Sequence, residues 1–131
     1  MKEQYLGLGH VAVCTNNVAE SIAFYEKIGG KVTARDTLET PNGTKELVLV
    51  ALGSVTVELI ENLPPVERSA GVMPHLAILV DDVEAAGKAI QAAGVNTFKT
   101  PEKEVLTLFG GMENWFFVGP SGEEIELMKM L

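Results

Sequence analysis

HVAVCTNNVAESIAFYEKIGG, residues 10–30, and HLAILVDDVEAAGKAIQAAGV, residues 75–95, repeat one pattern at an offset of 65 residues. Each copy runs from a short apolar strand to a polar residue suited to capping a helix, Asn17 or Asp82. A helical segment follows and stops at a glycine. Because the offset is half of the 131 residues, the chain is predicted to consist of two copies of one unit.

Three further strands are predicted after the helix in each copy. In the first copy the helix covers 18–28 and the strands cover 31–39, 45–52 and 54–61. In the second copy the helix covers 83–93 and the strands cover 95–101, 105–110 joined loosely to 113–118, and 123–130. The order β-α-β-β-β predicts an α+β fold of two βαβββ modules that form a cupped mixed sheet. We expect a single domain over 1–131, with module 1 at about 6–61, a linker at 62–72 and module 2 at about 73–131.

Composition narrows the classes of partner. The net charge is −8 and no basic cluster occurs, which argues against nucleic acid as a partner. The apolar runs are of strand length, far short of about 20 residues for a membrane span. A single cysteine and an N-terminal stretch without an apolar signal segment predict a cytoplasmic protein.

Two acidic residues accompany the two histidines of the chain. Glu58 in VELIE (57–61) and Glu126 in IELMK (125–129) hold the same place in the last strand of each module. Strand alternation places both glutamates, and also His10 and His75, away from the denser apolar face. One such residue is ordinarily a surface residue, but all four in register with the repeat favour a common role. Imidazole and carboxylate donors suit a divalent transition metal, so the pattern predicts a metal site.

Three stretches resemble the vicinal oxygen chelate superfamily: HVAVCTNNVAESIAFYEKIGGK, PHLAILVDDVEAAGKAI and FFVGPSGEEIELMKM. The resemblance implies paired βαβββ modules, a homodimer, and a metal site whose ligands are His10, Glu58, His75 and Glu126. The complete set of two histidines and two glutamates is most similar to glyoxalase I, the lactoylglutathione lyase. Cys14 stands where glyoxalase I usually has arginine, and Leu63 stands where it has an aromatic residue, so the use of glutathione is left open.

The implied activity is that of a metal-dependent lyase or isomerase acting on a 2-oxo or hemithioacetal small molecule. Its proton transfer would pass through a metal-chelated enediolate, with Glu58 or Glu126 as the catalytic base and Glu126 preferred. By resemblance, nickel or cobalt is favoured as the cofactor and zinc is possible. The alternatives are an epimerase similar to methylmalonyl-CoA epimerase, a non-catalytic small-molecule binding or resistance protein, and a thiol transferase of the fosfomycin type.

Three residues are predicted to bind substrate. Asn62 matches a glyoxalase I asparagine that contacts glutathione. Trp115 lies in the glycine-hinged segment 106–117, which either covers the substrate as a lid or supplies core side chains. Cys14 shares the face of His10 and either lines the pocket or is a small buried residue, with burial preferred.

Overall fold

The computed structural model of the protein describes residues 6, 8–67 and 75–131. The chain divides between Val66 and Glu67 into two compact units, which correspond to modules 1 and 2. Among the described residues, no helix is long and apolar enough to cross a membrane.

Module 1 is a four-stranded mixed sheet with one helix. Its elements are β1 (Val11–Thr15), α1 (Val18–Lys27), β2 (Lys31–Thr40), β3 (Gly43–Leu52) and β4 (Val55–Glu61). The strand order is β1-β4-β3-β2, in which only the β1–β4 pair is parallel. Helix α1 begins where the Asn17 side chain accepts a hydrogen bond from the Glu20 amide at 2.9 Å. It ends before Gly29, whose φ of 100° favours glycine.

The core of module 1 lies between α1 and one face of the sheet. Its fully buried side chains include Tyr25, Val48, Val50, Val57 and Leu59. These strand residues alternate with less buried ones, so the sheet has one covered face and one open face. Burial of each such side chain contributes about 1.5–3 kcal/mol to folding.

Module 2 repeats the same topology. Its elements are β5 (Leu76–Leu79), α2 (Val83–Ala92), β6 (Glu104–Leu106), a 3₁₀ turn (Leu108–Gly110), β7 (Met112–Val118) and β8 (Glu124–Met130). The order is β5-β8-β7-β6, again with a parallel pair between the first and last strands. Asp82 caps α2 by accepting from the Ala85 amide at 3.0 Å. The α+β class and the two βαβββ modules are therefore confirmed.

The predicted strand at 95–101 is wrong. This segment makes a single bridge between Phe98 and Phe117 and otherwise runs as a loop. Its β-branched and aromatic residues favour a strand, but Phe98 packs against the aromatic rings of Trp115 and Phe117 without forming a ladder. The first of the three strands after α2 is instead β6, which stops at Leu106 because the chain then enters the 3₁₀ turn.

Candidate metal centre

In module 1 the parallel pairing of the first and last strands brings a histidine and a glutamate together. Val11 pairs with Val57 and Ala12 with Glu58, so His10 lies one residue before the ladder begins. The His10 Nε2 atom is 3.3 Å from Glu58 Oε1. The separation of 48 residues along the chain thus becomes a direct contact between two potential metal donors.

Module 2 contains the equivalent contact. Leu76 pairs with Ile125 and Ala77 with Glu126, which places His75 one residue before the ladder. His75 Nε2 is 3.2 Å from Glu126 Oε1. The His75 ring also meets Phe116 edge-on, at 5.4 Å between centroids and an interplanar angle of 90°.

Both contacts lie on the sheet faces opposite the helices. In β1, Val13 is buried whereas Ala12 and Cys14 are exposed. In β5, Ala77 and Leu79 are exposed. Both imidazoles remain accessible on the side of the sheet opposite the helix, so a solvent-borne ion can reach them.

The two distances fit donors that share one cation. Ligand bonds near 2.1 Å place cis nitrogen and oxygen atoms roughly 2.9 Å apart at 90° and roughly 3.4 Å apart at a tetrahedral angle. The observed 3.2 and 3.3 Å lie between these values. They also lie at the long end of the range for hydrogen bonds between nitrogen and oxygen. The donor chemistry and spacing of each pair therefore fit a divalent transition metal.

Each pair supplies only two protein donors. Among residues 6, 8–67 and 75–131, no group of three or more histidine, cysteine, aspartate or glutamate side chains is arranged to hold a metal ion. One pair alone is half of the four-ligand set that protein zinc sites ordinarily use.

A cavity of about 390 Å³ opens beside the histidine of module 2. Its lining includes His75, Lys99, Asn114, Trp115, Phe116 and Glu124. Lys99 and Glu124 form an ion pair there. A larger depression of about 520 Å³ is lined by residues of 91–101 and includes none of the four predicted ligands, so its size alone does not make it the site.

The three predicted substrate-binding residues have different surroundings. The Asn62 side chain donates to Asn16 Oδ1 at 2.9 Å, so its amide N–H group is engaged within module 1. Trp115 is only 3% exposed and donates its indole N–H to the Thr100 carbonyl at 3.0 Å, although it also lines the cavity. Cys14 is exposed, so the preference for a small buried residue at this position is wrong; strand alternation puts it on the open face with His10.

Trp115 and Phe117 belong to β7 and are buried, which agrees with the alternative that segment 106–117 supplies core side chains. The irregular part is the turn 107–111, where Phe109 is 83% exposed. Phe109 has a φ of 53°, and the two glycines that follow it also have positive φ values. Leu108 and Phe109 are the large apolar side chains that this turn exposes.

The structure adds Asn114, a residue that the sequence reasoning missed. Its side-chain N–H donates to Glu126 Oε2 at 3.0 Å, and both residues are buried. The one available signal was a polar residue inside the apolar strand MENWFFV. Such a residue needs a partner when it is buried, but the pattern does not say which partner.

The fold agrees with the comparisons to known proteins. The sequence profile of the Glyoxalase/Bleomycin resistance protein/Dioxygenase superfamily matches residues 7–127. The chain belongs to this superfamily. The resemblance to the vicinal oxygen chelate superfamily, predicted from the sequence, is thereby confirmed.

The chain is also similar to individual proteins and to solved structures. The chain is 30% identical over 125 residues to the uncharacterised protein YwbC of Bacillus subtilis, covering 93% of this chain and 96% of that protein. It is 32% identical over 126 residues to a probable lactoylglutathione lyase of Vibrio parahaemolyticus, covering 92% and 88%. A glyoxalase family protein from Enterococcus faecalis superposes with a TM-score of 0.77 at 23% identity, covering 96% and 99%. The Listeria monocytogenes fosfomycin resistance protein FosX, solved with Mn(II) and sulfate, superposes with a TM-score of 0.66 at 17% identity, covering 97% and 94%. At these identities the two structures bear on the fold alone.

Proposed function

We propose that the protein is a metal-dependent lyase or isomerase of the glyoxalase I type, acting on a 2-oxo compound or a hemithioacetal. The observation that carries the proposal is the pair of equivalent contacts between histidine Nε2 and glutamate Oε1, at 3.3 Å in module 1 and 3.2 Å in module 2. The similarity to a probable lactoylglutathione lyase over nearly the whole chain supports the same activity.

The proposed ligand set consists of His10, Glu58, His75 and Glu126. Each module supplies one histidine and one glutamate of this set. Nickel or cobalt is the favoured ion and zinc the alternative, since all three accept imidazole ligands. The manganese in FosX supports a divalent ion on this fold but not a particular one.

The two glutamates carry the proton transfer in this proposal. When bound, the metal supplies Lewis-acid polarisation of two adjacent substrate oxygens, which acidifies the neighbouring C–H bond. A carboxylate of Glu58 or Glu126 takes that proton and returns it to the adjacent carbon, which isomerises the substrate. Asn114, which donates to Glu126, keeps one of these carboxylates in a fixed orientation.

The first experiment is a titration of metal-free protein with nickel, cobalt and zinc ions by calorimetry, followed by assay on the hemithioacetal of methylglyoxal and glutathione. We expect binding at one ion per chain and metal-dependent isomerisation with incorporation of solvent deuterium at the product carbon. The variants His10→Ala and His75→Ala should each bind the ion more weakly than wild type and lose activity. Glu84→Gln alters an exposed ion pair on α2 and serves as the matched surface control.

The outcomes separate the alternatives. If the protein binds metal but does not convert the hemithioacetal, the metal site stands and the substrates to assay next are those of epimerases and thiol transferases. Binding of small molecules by a protein that takes up none of the three ions would instead identify a non-catalytic binding protein. Sedimentation of the metal-loaded protein as a monomer would contradict the predicted homodimer.

A further inference from the structure

The two His–Glu pairs differ in how firmly the carboxylate is held. In module 2 both carboxylate oxygens of Glu126 have a partner: Oε1 contacts His75 Nε2 at 3.2 Å, and Oε2 accepts from Asn114 Nδ2 at 3.0 Å. The Glu126 side chain is 8% exposed and Asn114 is 7% exposed. A hydrogen bond to a charged carboxylate in such surroundings is among the stronger ones in proteins.

Among residues 6, 8–67 and 75–131, no side chain gives Glu58 a counterpart to this second bond. Its side chain is 23% exposed, and among the described residues no side chain donates a hydrogen bond to its Oε2. Strand register explains the difference. Glu126 pairs with Phe116, and Asn114 pairs with the residue two positions beyond Glu126. Glu58 pairs with Leu49, and the position equivalent to Asn114 is Leu47, whose side chain donates no hydrogen bond.

We infer that Asn114 is a positioning residue that anchors Glu126, and that Glu58 is the carboxylate free to turn toward the substrate and carry the proton. The inference rests on the proposed function and departs from the sequence-based preference for Glu126 as the base. The physical reason is that a base must leave one set of contacts to reach a C–H bond. Glu58 gives up one contact, with a histidine, whereas Glu126 would also have to break a buried bond to an amide.

The test variant is Asn114→Leu. Leucine is the residue that module 1 carries at the equivalent position, so a sheet of this design accommodates it. The matched control is Thr97→Val, which removes a side-chain hydrogen bond to the Val118 carbonyl at the far end of β7 and leaves Glu126 untouched. Both variants are compared with the wild type at a temperature at which circular dichroism shows all three fully folded.

The primary readout is the nickel dissociation constant of metal-free protein, measured by calorimetry. We expect Asn114→Leu to raise it about 10–100-fold, the effect usual for loss of a partner that orients a metal ligand. Thr97→Val should leave it within about twofold of wild type. A purely structural role of Asn114 would change the unfolding temperature and leave nickel affinity of the folded protein unaltered.

The base assignment has its own readout in the two glutamate variants. Glu126→Gln should raise the nickel dissociation constant more than Glu58→Gln does. At saturating nickel, Glu58→Gln should show the slower exchange of the substrate C–H with deuterated solvent. The reverse order in both measurements overturns the inference.

Failure of this inference and failure of the proposed function would give different results. Wild-type nickel affinity in Asn114→Leu overturns the positioning role and leaves the proposed function standing. Absence of nickel binding by the wild-type protein overturns the proposed function and this inference together.

Discussion

Replacement of Gly87 by alanine tests how the wall of the cavity beside His75 is supported. Gly87 lies in the middle of α2, and a Cβ atom there would approach Trp115 Cε3 to 2.2 Å and Cζ3 to 2.4 Å. Ordinary contacts begin near 3.4 Å, so either the indole ring or the helix must move by roughly 1 Å. The ring is held by its N–H bond to the Thr100 carbonyl at 3.0 Å and by Phe98 at 4.5 Å.

The expected change in the free energy of unfolding combines two opposing contributions. Overpacking of a core costs about 1–3 kcal/mol, and the held ring puts this site near the upper value. Alanine gains about 1 kcal/mol over glycine in a helix interior. We therefore expect Gly87→Ala to lower the free energy of unfolding by about 2 kcal/mol, as the difference of about 3 and about 1 kcal/mol.

A double-mutant cycle with Trp115→Leu isolates the steric contribution. In urea unfolding, Gly87→Ala in the Trp115→Leu background should be stabilising by about 1 kcal/mol, because only the helix gain remains. The coupling energy is then about 3 kcal/mol, the difference between the effects of Gly87→Ala in the two backgrounds. An equal effect of Gly87→Ala in both backgrounds, or stabilisation in the wild-type background, would refute the packing described here.

Three further predictions concern the proposed metal site and one surface ion pair. Glu58→Gln and Glu126→Gln should each reduce C–H exchange on the hemithioacetal at least about 100-fold, the lower end of the contribution expected from a positioned base. Both variants should retain a near-native circular dichroism spectrum. Wild-type turnover in both would contradict the proton-transfer role. Nickel at about 100 times its dissociation constant should raise the free energy of unfolding by about 2.7 kcal/mol, and removal of the metal with a chelator should reverse the gain in a thermal melt. The Glu113 carboxylate lies 2.8 Å from Lys103 Nζ and raises the pKa of Lys103. The contribution of this ion pair to stability is therefore present at neutral pH and is lost as the pH rises through that pKa. An NMR titration should find a lower Lys103 pKa in Glu113→Gln than in the wild type.

Most of the fold was predictable because its signals are local. The caps at Asn17 and Asp82 each act within three residues of their helix, and strand alternation assigns faces without knowledge of the partner strand. Because the second module repeats the sequence pattern of the first, the same topology could be predicted for both. The pairing of the first and last strands, which brings His10 to Glu58 and His75 to Glu126, required only that the predicted strands be neighbours.

The misses come from relations between strands. The segment around Phe98 contains β-branched and aromatic residues that favour a strand, but its ring packs against Trp115 and the segment makes a single bridge in place of a ladder. The contact between Asn114 and Glu126 depends on the antiparallel register of β7 and β8, which the sequence alone does not supply. The exposure of Cys14 likewise depends on what covers each face of the sheet.

The most direct test of the central claim is X-ray absorption spectroscopy of the nickel-loaded protein, which counts the imidazole ligands of the metal. Two histidine nitrogens should surround the nickel in the wild type, since His10 and His75 are the two histidines of the chain, and one should remain in each of His10→Ala and His75→Ala. A wild-type spectrum without imidazole scattering, or a spectrum unchanged by either replacement, would contradict the joint ligand set.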